Sequence, residues 1–227
     1  MLRSIFAAAV LSVFLAGSAF AGPLEDAAKA YKQSDYTTAL NLWRPLAEQG
    51  TPIAQYNLGR LYAGGEGVTQ DYAEALHWLR LSADRGYASA QHSLGLMYGT
   101  GEGVPQDYEE AVRWYRLAAE QGYEPAQNNL GFMYKMGQGV PQDDAKALAL
   151  IRLSAEQGEA FAQLNLGIAY GKGQGVPQDY VYAHLWLNLA ASQGHETASQ
   201  ARHQLTEFMT PDQIAEAQKL AREWRPK

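Results

Sequence analysis

The chain has 227 residues, 47% of them hydrophobic and 19% charged, with a formal net charge of −6 at pH 7. An acidic chain without a basic cluster is a poor ligand for phosphate backbones or anionic membrane surfaces, so nucleic acid is not an expected partner. Cysteine is absent, which excludes disulfides, thiolate metal sites and a lipid-modified N-terminal cysteine.

Arg3 precedes a mostly apolar run from Ile5 to Ala16, followed by Gly17-Ser18-Ala19-Phe20-Ala21. Ala19-x-Ala21 is the small-residue pattern that a signal peptidase reads, so residues 1–21 are expected to form a signal peptide cleaved after Ala21. A membrane anchor would need about 20 apolar residues, and this run is too short. The mature chain is therefore expected to be periplasmic or secreted, with no integral membrane association.

Residues 22–50 read as a reduced first unit. Ala27, Ala28 and Tyr31 lie on one short helix, and Asp35-Tyr36 opens a second with Ala39, Leu42, Trp43 and Leu46 on one face. From residue 51 the chain repeats itself every 36 residues. Ala-Gln recurs at Ala54, Ala90, Ala126 and Ala162, Leu-Gly at Leu58, Leu94, Leu130 and Leu166, and tyrosine at Tyr62, Tyr98, Tyr134 and Tyr170. A period of this length marks stacked supersecondary units, none of which buries its apolar face alone.

Each unit reads as helix A, a glycine-rich loop and helix B. Ala90, Leu94 and Tyr98 share one face of helix A; Ala111, Trp114, Tyr115 and Ala118 share one face of helix B. Pro105 pushes Val104 out of the helical region. Asp107 caps helix B, with Glu110 placed for an Asp-x-x-Glu capping box that Asp71 and Glu74 repeat, while Asp143 and Asp179 cap without the acidic partner. Thr51-Pro52 is a helix start with threonine as cap. Gly50, Gly86, Gly122, Gly158 and Gly194 are expected to end helix B in left-handed conformation. Gly95 and its equivalents cost about 1 kcal/mol inside helix A, which implies a neighbour too close for a Cβ; the ring at Trp78, Trp114 or Trp186 is the expected partner. The third unit departs from this pattern, with Asp144, Leu150 and Ile151 where the second has Tyr108, Trp114 and Tyr115, so a smaller ring cluster is expected there. The register persists once more at Ala198, and Thr210-Pro211 caps a last helix with Ile214, Ala217, Leu220, Ala221 and Trp224 as its stripe.

The quoted pattern, A-x-x-x-L-G-x-x-Y, then G-x-G-V-P-Q-D, then A-x-x-W-x-x-x-A-A-x-x-G, resembles the Sel1-like repeat family of tetratricopeptide-like helical solenoids. The resemblance runs from Pro52 to Gly194, with Thr69 replacing the loop proline of the first copy. It implies an all-α fold, a right-handed α/α solenoid of Sel1-like (TPR-like) helix-turn-helix repeats. The repeats fall at about 51–86, 87–122, 123–158 and 159–194, behind a TPR-like unit at 22–50 and ahead of capping helices at 195–227. Members of that family are mostly adaptors and interaction scaffolds, many exported from bacteria, so the resemblance implies a protein or peptide partner.

No catalytic signature competes with that reading. The loop glycines follow a helix rather than a strand, and Gly173 follows Lys172, so the phosphate-loop form is missing. None of the five histidines stands in His-Glu-x-x-His. His184 replaces Leu76, Val112 and Leu148 in register, so it is expected near the core as a hydrogen-bonded ring. No serine is followed by lysine three residues on, as β-lactam-processing serine enzymes require. The chain is expected to be a non-catalytic monomer without cofactor or metal; the alternative is a cell-wall-directed enzyme or receptor that binds or hydrolyses β-lactam or peptidoglycan.

In tetratricopeptide-like solenoids helix A lines the concave side, and the candidate partner-binding residues follow from that. One row holds Tyr56, His92, Asn128 and Leu164. A second holds Asn57, Ser93, Asn129 and Asn165, where the Asn amides could pair with an extended peptide. Repetition in most units favours a scaffold role for this second row, bonding neighbouring elements. Arg60, Leu96, Phe132 and Ile168 vary beside them and are the better candidates for specificity.

Overall fold

The computed structural model describes residues 22–226, so the candidate signal peptide lies outside the described residues. Those residues hold twelve helices and no strand. The chain divides between Gln106 and Asp107 into two compact units. The first contains α1 (residues 22–32), α2 (Tyr36–Glu48), α3 (Pro52–Gly64), α4 (Tyr72–Asp84) and α5 (Ala88–Thr100). The second contains α6 (Tyr108–Glu120), α7 (Glu124–Met136), α8 (Asp144–Gln157), α9 (Ala160–Lys172), α10 (Tyr180–Ser192), α11 (Glu196–Thr206) and α12 (Pro211–Glu223).

Within each unit consecutive helices pack as antiparallel hairpins, and the repeated alanines and leucines form their seam. Ala54, Leu58, Ala75, Ala126, Ala147, Ala162, Leu166 and Ala183 are all buried. Each buried leucine contributes about 2 kcal/mol relative to exposure, while alanine chiefly lets the backbones approach. The helix-A glycines close the same seam. A Cβ on Gly59 would stand 2.8 Å from Leu79 Cγ and 3.1 Å from the Ala75 carbonyl; on Gly167 it would stand 2.8 Å from Leu187 Cγ and 3.1 Å from the Ala183 carbonyl. At Gly131 the neighbours are the Ala147 carbonyl and Ile151 Cγ1, both at 3.0 Å. The expected close approach is there, but the partner is not the tryptophan ring. It is the following residue of helix B and the backbone itself, because the tryptophan position points one residue round the helix.

Asp35, Asp71, Asp107, Asp143 and Asp179 each cap a helix by accepting backbone N–H groups of the first turn. The capping box at Asp71 does not close. Its own N–H is already donated to the Tyr62 carbonyl at 3.0 Å, and Glu74 turns forward to accept the Trp78 indole N–H at 3.1 Å. Asp143 and Asp179 make the same backbone bond to Tyr134 and Tyr170, so in these three repeats the tyrosine that closes helix A also fixes the loop to helix B. Thr51 occupies an N-cap position without a side-chain cap bond, and Pro52 alone marks that start. Thr210 caps α12 in a full capping box with Gln213. Gly158 ends α8 in the left-handed region, at φ 108°.

The second loop glycine packs on the preceding helix B. A Cβ on Gly103 would meet Tyr72 Cβ at 2.5 Å, whereas on Gly175 the nearest atom is Leu148 Cδ2, at an ordinary 3.4 Å. Asp144 replaces the tyrosine at that point, so helix B of the third repeat is packed more loosely under the loop of the fourth.

Candidate interaction surface

Much of what repeats in the sequence is consumed in holding hairpins together. The glutamine after each signature alanine is buried, and its Nε2 donates back to the end of the preceding helix B. Gln55 reaches the Ala47 carbonyl at 3.1 Å, Gln91 that of Ala83 at 3.1 Å, Gln127 that of Ala119 at 3.4 Å and Gln163 that of Ala155 at 3.2 Å. The amide oxygen accepts from the end of the next helix B. Arg85 donates to Gln55 at 3.1 Å, Gln157 to Gln127 at 2.8 Å and Gln193 to Gln163 at 2.9 Å. Ser82 and Ser154 add hydroxyl bonds to the Pro52 and Glu124 carbonyls, at 2.7 and 2.8 Å. One side chain thus bolts three consecutive helices, adding a second bond to a carbonyl that already accepts the N–H of the glycine after the helix, as Ala47 does from Gly50 and Ala155 from Gly158. In the sequence the Ala-Gln pair marks the register, and a polar residue recurring beside the signature alanines is the signal for the bolt.

The asparagine row belongs to the same scaffold where its bonds are resolved. Asn129 shares a hydrogen bond with the buried Tyr115 hydroxyl, whose pKa is pushed up to about 12 mainly by burial. Asn165 donates to Asn128 at 3.2 Å, joining α9 to α7. Ser93 donates to the Ser89 carbonyl within its own helix at 2.9 Å. Asn57 is half-buried on α3.

Tyr56 and Arg60 are brought together in the first unit. Arg60 donates to the Tyr31 hydroxyl at 3.0 Å, and its guanidinium lies 5.3 Å from the Tyr31 ring and 5.7 Å from the Tyr56 ring. Tyr56 packs against Tyr87 with ring centroids 5.2 Å apart. His92 is half-buried, and desolvation lowers its pKa to about 4. Leu164 is buried rather than presented, which removes it from the surface row.

The varying row behaves differently. Leu96 and Phe132 are 40% and 50% exposed. In the second unit Phe132 and Met136 of α7 face Asn165 and Ala169 of α9 across a groove of about 450 Å³, with Ala147, Leu148 and Ile151 of α8 as its floor. Its rim is polar, with Lys135, Gln142, Asp144 and Gln174. An apolar floor with a few polar groups at the edge suits a side-chain anchor and its flanking backbone. Met136, also exposed, had been missed because lysine, threonine and glycine hold its place in the other repeats.

His184 is buried in α10, as its register implied, but its Nδ1 has no hydrogen-bond partner among the described residues. Burial and then the nearby Arg202 charge lower its pKa. No group of three or more His, Asp or Glu among the described residues is placed to hold a metal ion. No helix among the described residues is long and apolar enough to cross a membrane.

Together these features define an all-α helical repeat solenoid whose hairpins are joined by buried glutamine bolts. The Sel1 repeat pattern matches residues 52–87, 88–123, 124–159 and 160–195, and the chain belongs to the Sel1 repeat family. It is similar to the crystal structure of a Sel1 repeat protein from Oxalobacter formigenes, at 32% identity and TM-score 0.71, over 83% of this chain and 80% of that one. A protective antigen of uropathogenic Escherichia coli with an SLR fold, c5321, is 30% identical with TM-score 0.59, over 90% of this chain and 53% of its own. Immunity protein Pa5087 of Pseudomonas aeruginosa shares the fold at 23% identity and TM-score 0.56, over 88% of this chain and 79% of that one. None of the curated proteins matches the chain.

Proposed function

We propose that this chain is an exported, non-catalytic scaffold that binds a protein or peptide along the face lined by its A helices. One observation carries the reading: the repeated polar residues are spent on inter-helix bonds, while the varying helix-A residues Leu96, Phe132 and Met136 stay exposed. In the second unit Phe132 and Met136, exposed beside a groove of about 450 Å³, supply the anchor that an interaction surface needs. The bolts fix each helix A before a partner arrives, so little ordering cost falls on the scaffold. Export rests on the N-terminal charge, apolar run and Ala19-x-Ala21 of the sequence.

The test is affinity capture from the native cell envelope, comparing the mature chain with a Phe132→Ser, Met136→Ser variant and with a Tyr56→Ala, His92→Ala, Asn128→Ala variant. Both should retain helicity and lose the captured partner. Capture that survives both changes overturns the helix-A assignment. Export is tested by fractionation, where the protein should be found shortened by its first 21 residues; an uncleaved cytosolic chain overturns it.

A further inference from the structure

The opposite, helix-B side of the second unit carries a leucine in the same place of each repeat, at Leu117, Leu153 and Leu189. The first two are 38% and 50% exposed, the third only 8%. The cause is α12. Leu220, Ala221 and the C-cap Trp224 pack on the cluster that holds Ala155, Leu166, Leu185, Trp186 and Leu189, as Tyr170 does beside them, between α8 and α10. Trp224 meets Trp186 edge-on at 6.3 Å.

One repeat earlier the equivalent surface is covered by no helix among the described residues. Ala119, Leu130, Tyr134, Ala149, Leu150 and Leu153 stand one period before those six residues, and they line an open groove of about 350 Å³ between α6 and α8. The two surfaces share helices, register and most of their chemistry. They differ at Leu150, where the next repeat has Trp186, and at Ala149, where it has Leu185, both of which deepen the open groove; and no helix among the described residues covers it.

We propose that the groove between α6 and α8 is a second docking site, for an amphipathic helix of a partner protein carrying a leucine and an aromatic ring one turn apart. The molecule displays the geometry on itself, since Leu220 in the last turn of α12 and Trp224 at its C-cap, four positions on, fill the adjoining seat. The missing tryptophan leaves room for the incoming ring. Arg116 donates to the Tyr134 hydroxyl at 3.5 Å and Lys146 pairs with Asp143 at 3.1 Å, so with Glu120 the charges at the groove balance and the leucine and ring carry the recognition. A second copy of this chain is a poor occupant because the stripe of its own α12 is already engaged.

The probe is a fluorescent peptide of this chain's residues 209–226, titrated against the intact protein and followed by anisotropy. Saturable binding is expected, weakened at least tenfold by Leu153→Glu in the protein and by Trp224→Ala in the peptide. Leu153 is half-exposed, so its variant should fold, which circular dichroism checks. Trp224→Ala in the protein separates the two seats. If the peptide occupies the open groove this change leaves affinity unaltered; if affinity rises while Leu153→Glu has no effect, the peptide is displacing α12 and the proposal is overturned. Absence of saturable binding overturns it too. So does concentration-dependent dimerisation abolished by Leu153→Glu, which would make a second copy the occupant.

Discussion

Helices α6 and α8 hold the same place in successive repeats and are built differently. α6 brings Trp114 and Tyr115, both almost fully buried. α8 brings Leu150 and Ile151 to those positions, and grooves of about 350 and 450 Å³ open on its two sides. Both helices keep the aspartate cap, the buried alanines and the contact with helix A. Repetition therefore accounts for the scaffold, and departures from repetition account for the surfaces a partner could use.

The largest expected effect comes from the shared seam. Gly167→Leu should cost about 3 kcal/mol or more, because a side chain there meets the Ala183 backbone carbonyl, which cannot rotate away. Gly131→Leu should cost a comparable amount despite the looser α8, since the Ala147 carbonyl stands as close. Chemical denaturation measures both; a mild effect at either site would show that the seam yields.

The bolts come next. Gln163→Leu removes two hydrogen bonds of a fully buried amide, at about 1 to 2 kcal/mol, although the Ala155 carbonyl keeps the Gly158 N–H and the Gln193 amide keeps the Gly158 carbonyl. Gln127→Leu should cost less, because its bond to the Ala119 carbonyl is already long at 3.4 Å. Equal losses would mean that the third repeat is as tightly bolted as the fourth.

A smaller effect appears on acidification. His92 has a folded pKa of about 4, depressed by burial, against about 6.5 when unfolded. The unfolded chain therefore binds more protons between those values, and its stabilising contribution is full above about pH 6.5 and lost as pH falls toward 4. The loss should reach about 1 kcal/mol by about pH 5.5. His92→Gln should flatten the melting temperature against pH over that range, and an unchanged slope would contradict the burial account.

The smallest effect sharpens the comparison itself. Leu150→Trp should fill part of the groove between α6 and α8 and raise stability by about 0.5 to 1 kcal/mol. It should also weaken binding of the residue 209–226 peptide. A destabilised variant would mean that the groove is not shaped for the ring its neighbour carries.

The period in the sequence was enough to give the hairpins, their caps, the left-handed glycines at helix ends and the buried alanine and leucine seam. It also pointed to the third repeat, since Asp144, Leu150 and Ile151 are visible departures. Partners were harder to read. The helix-A glycines do face a close neighbour, but which residue of helix B it is depends on the helix's rotation about its axis, and spacing alone left an uncertainty of one position. The glutamine bolts escaped because a glutamine on a helix reads as polar and outward until the preceding helix end is placed above it. At Asn129 and Asn165 the repeated amide coincides with bonds to Tyr115 and Asn128, which spacing alone does not locate. The seat of α12 could not be read at all, because it depends on where the chain turns back after Thr206.

The central claim is that repeated residues hold the fold and varying ones meet the partner. It is tested most directly by melting and partner capture on two variants of one helix, α7. Phe132→Ser should keep the melting temperature and lose the partner, while Asn129→Ala should lower the melting temperature and retain the partner in the folded fraction. The reverse pattern, a stable Asn129→Ala protein that no longer binds beside a Phe132→Ser protein that does, would contradict the account.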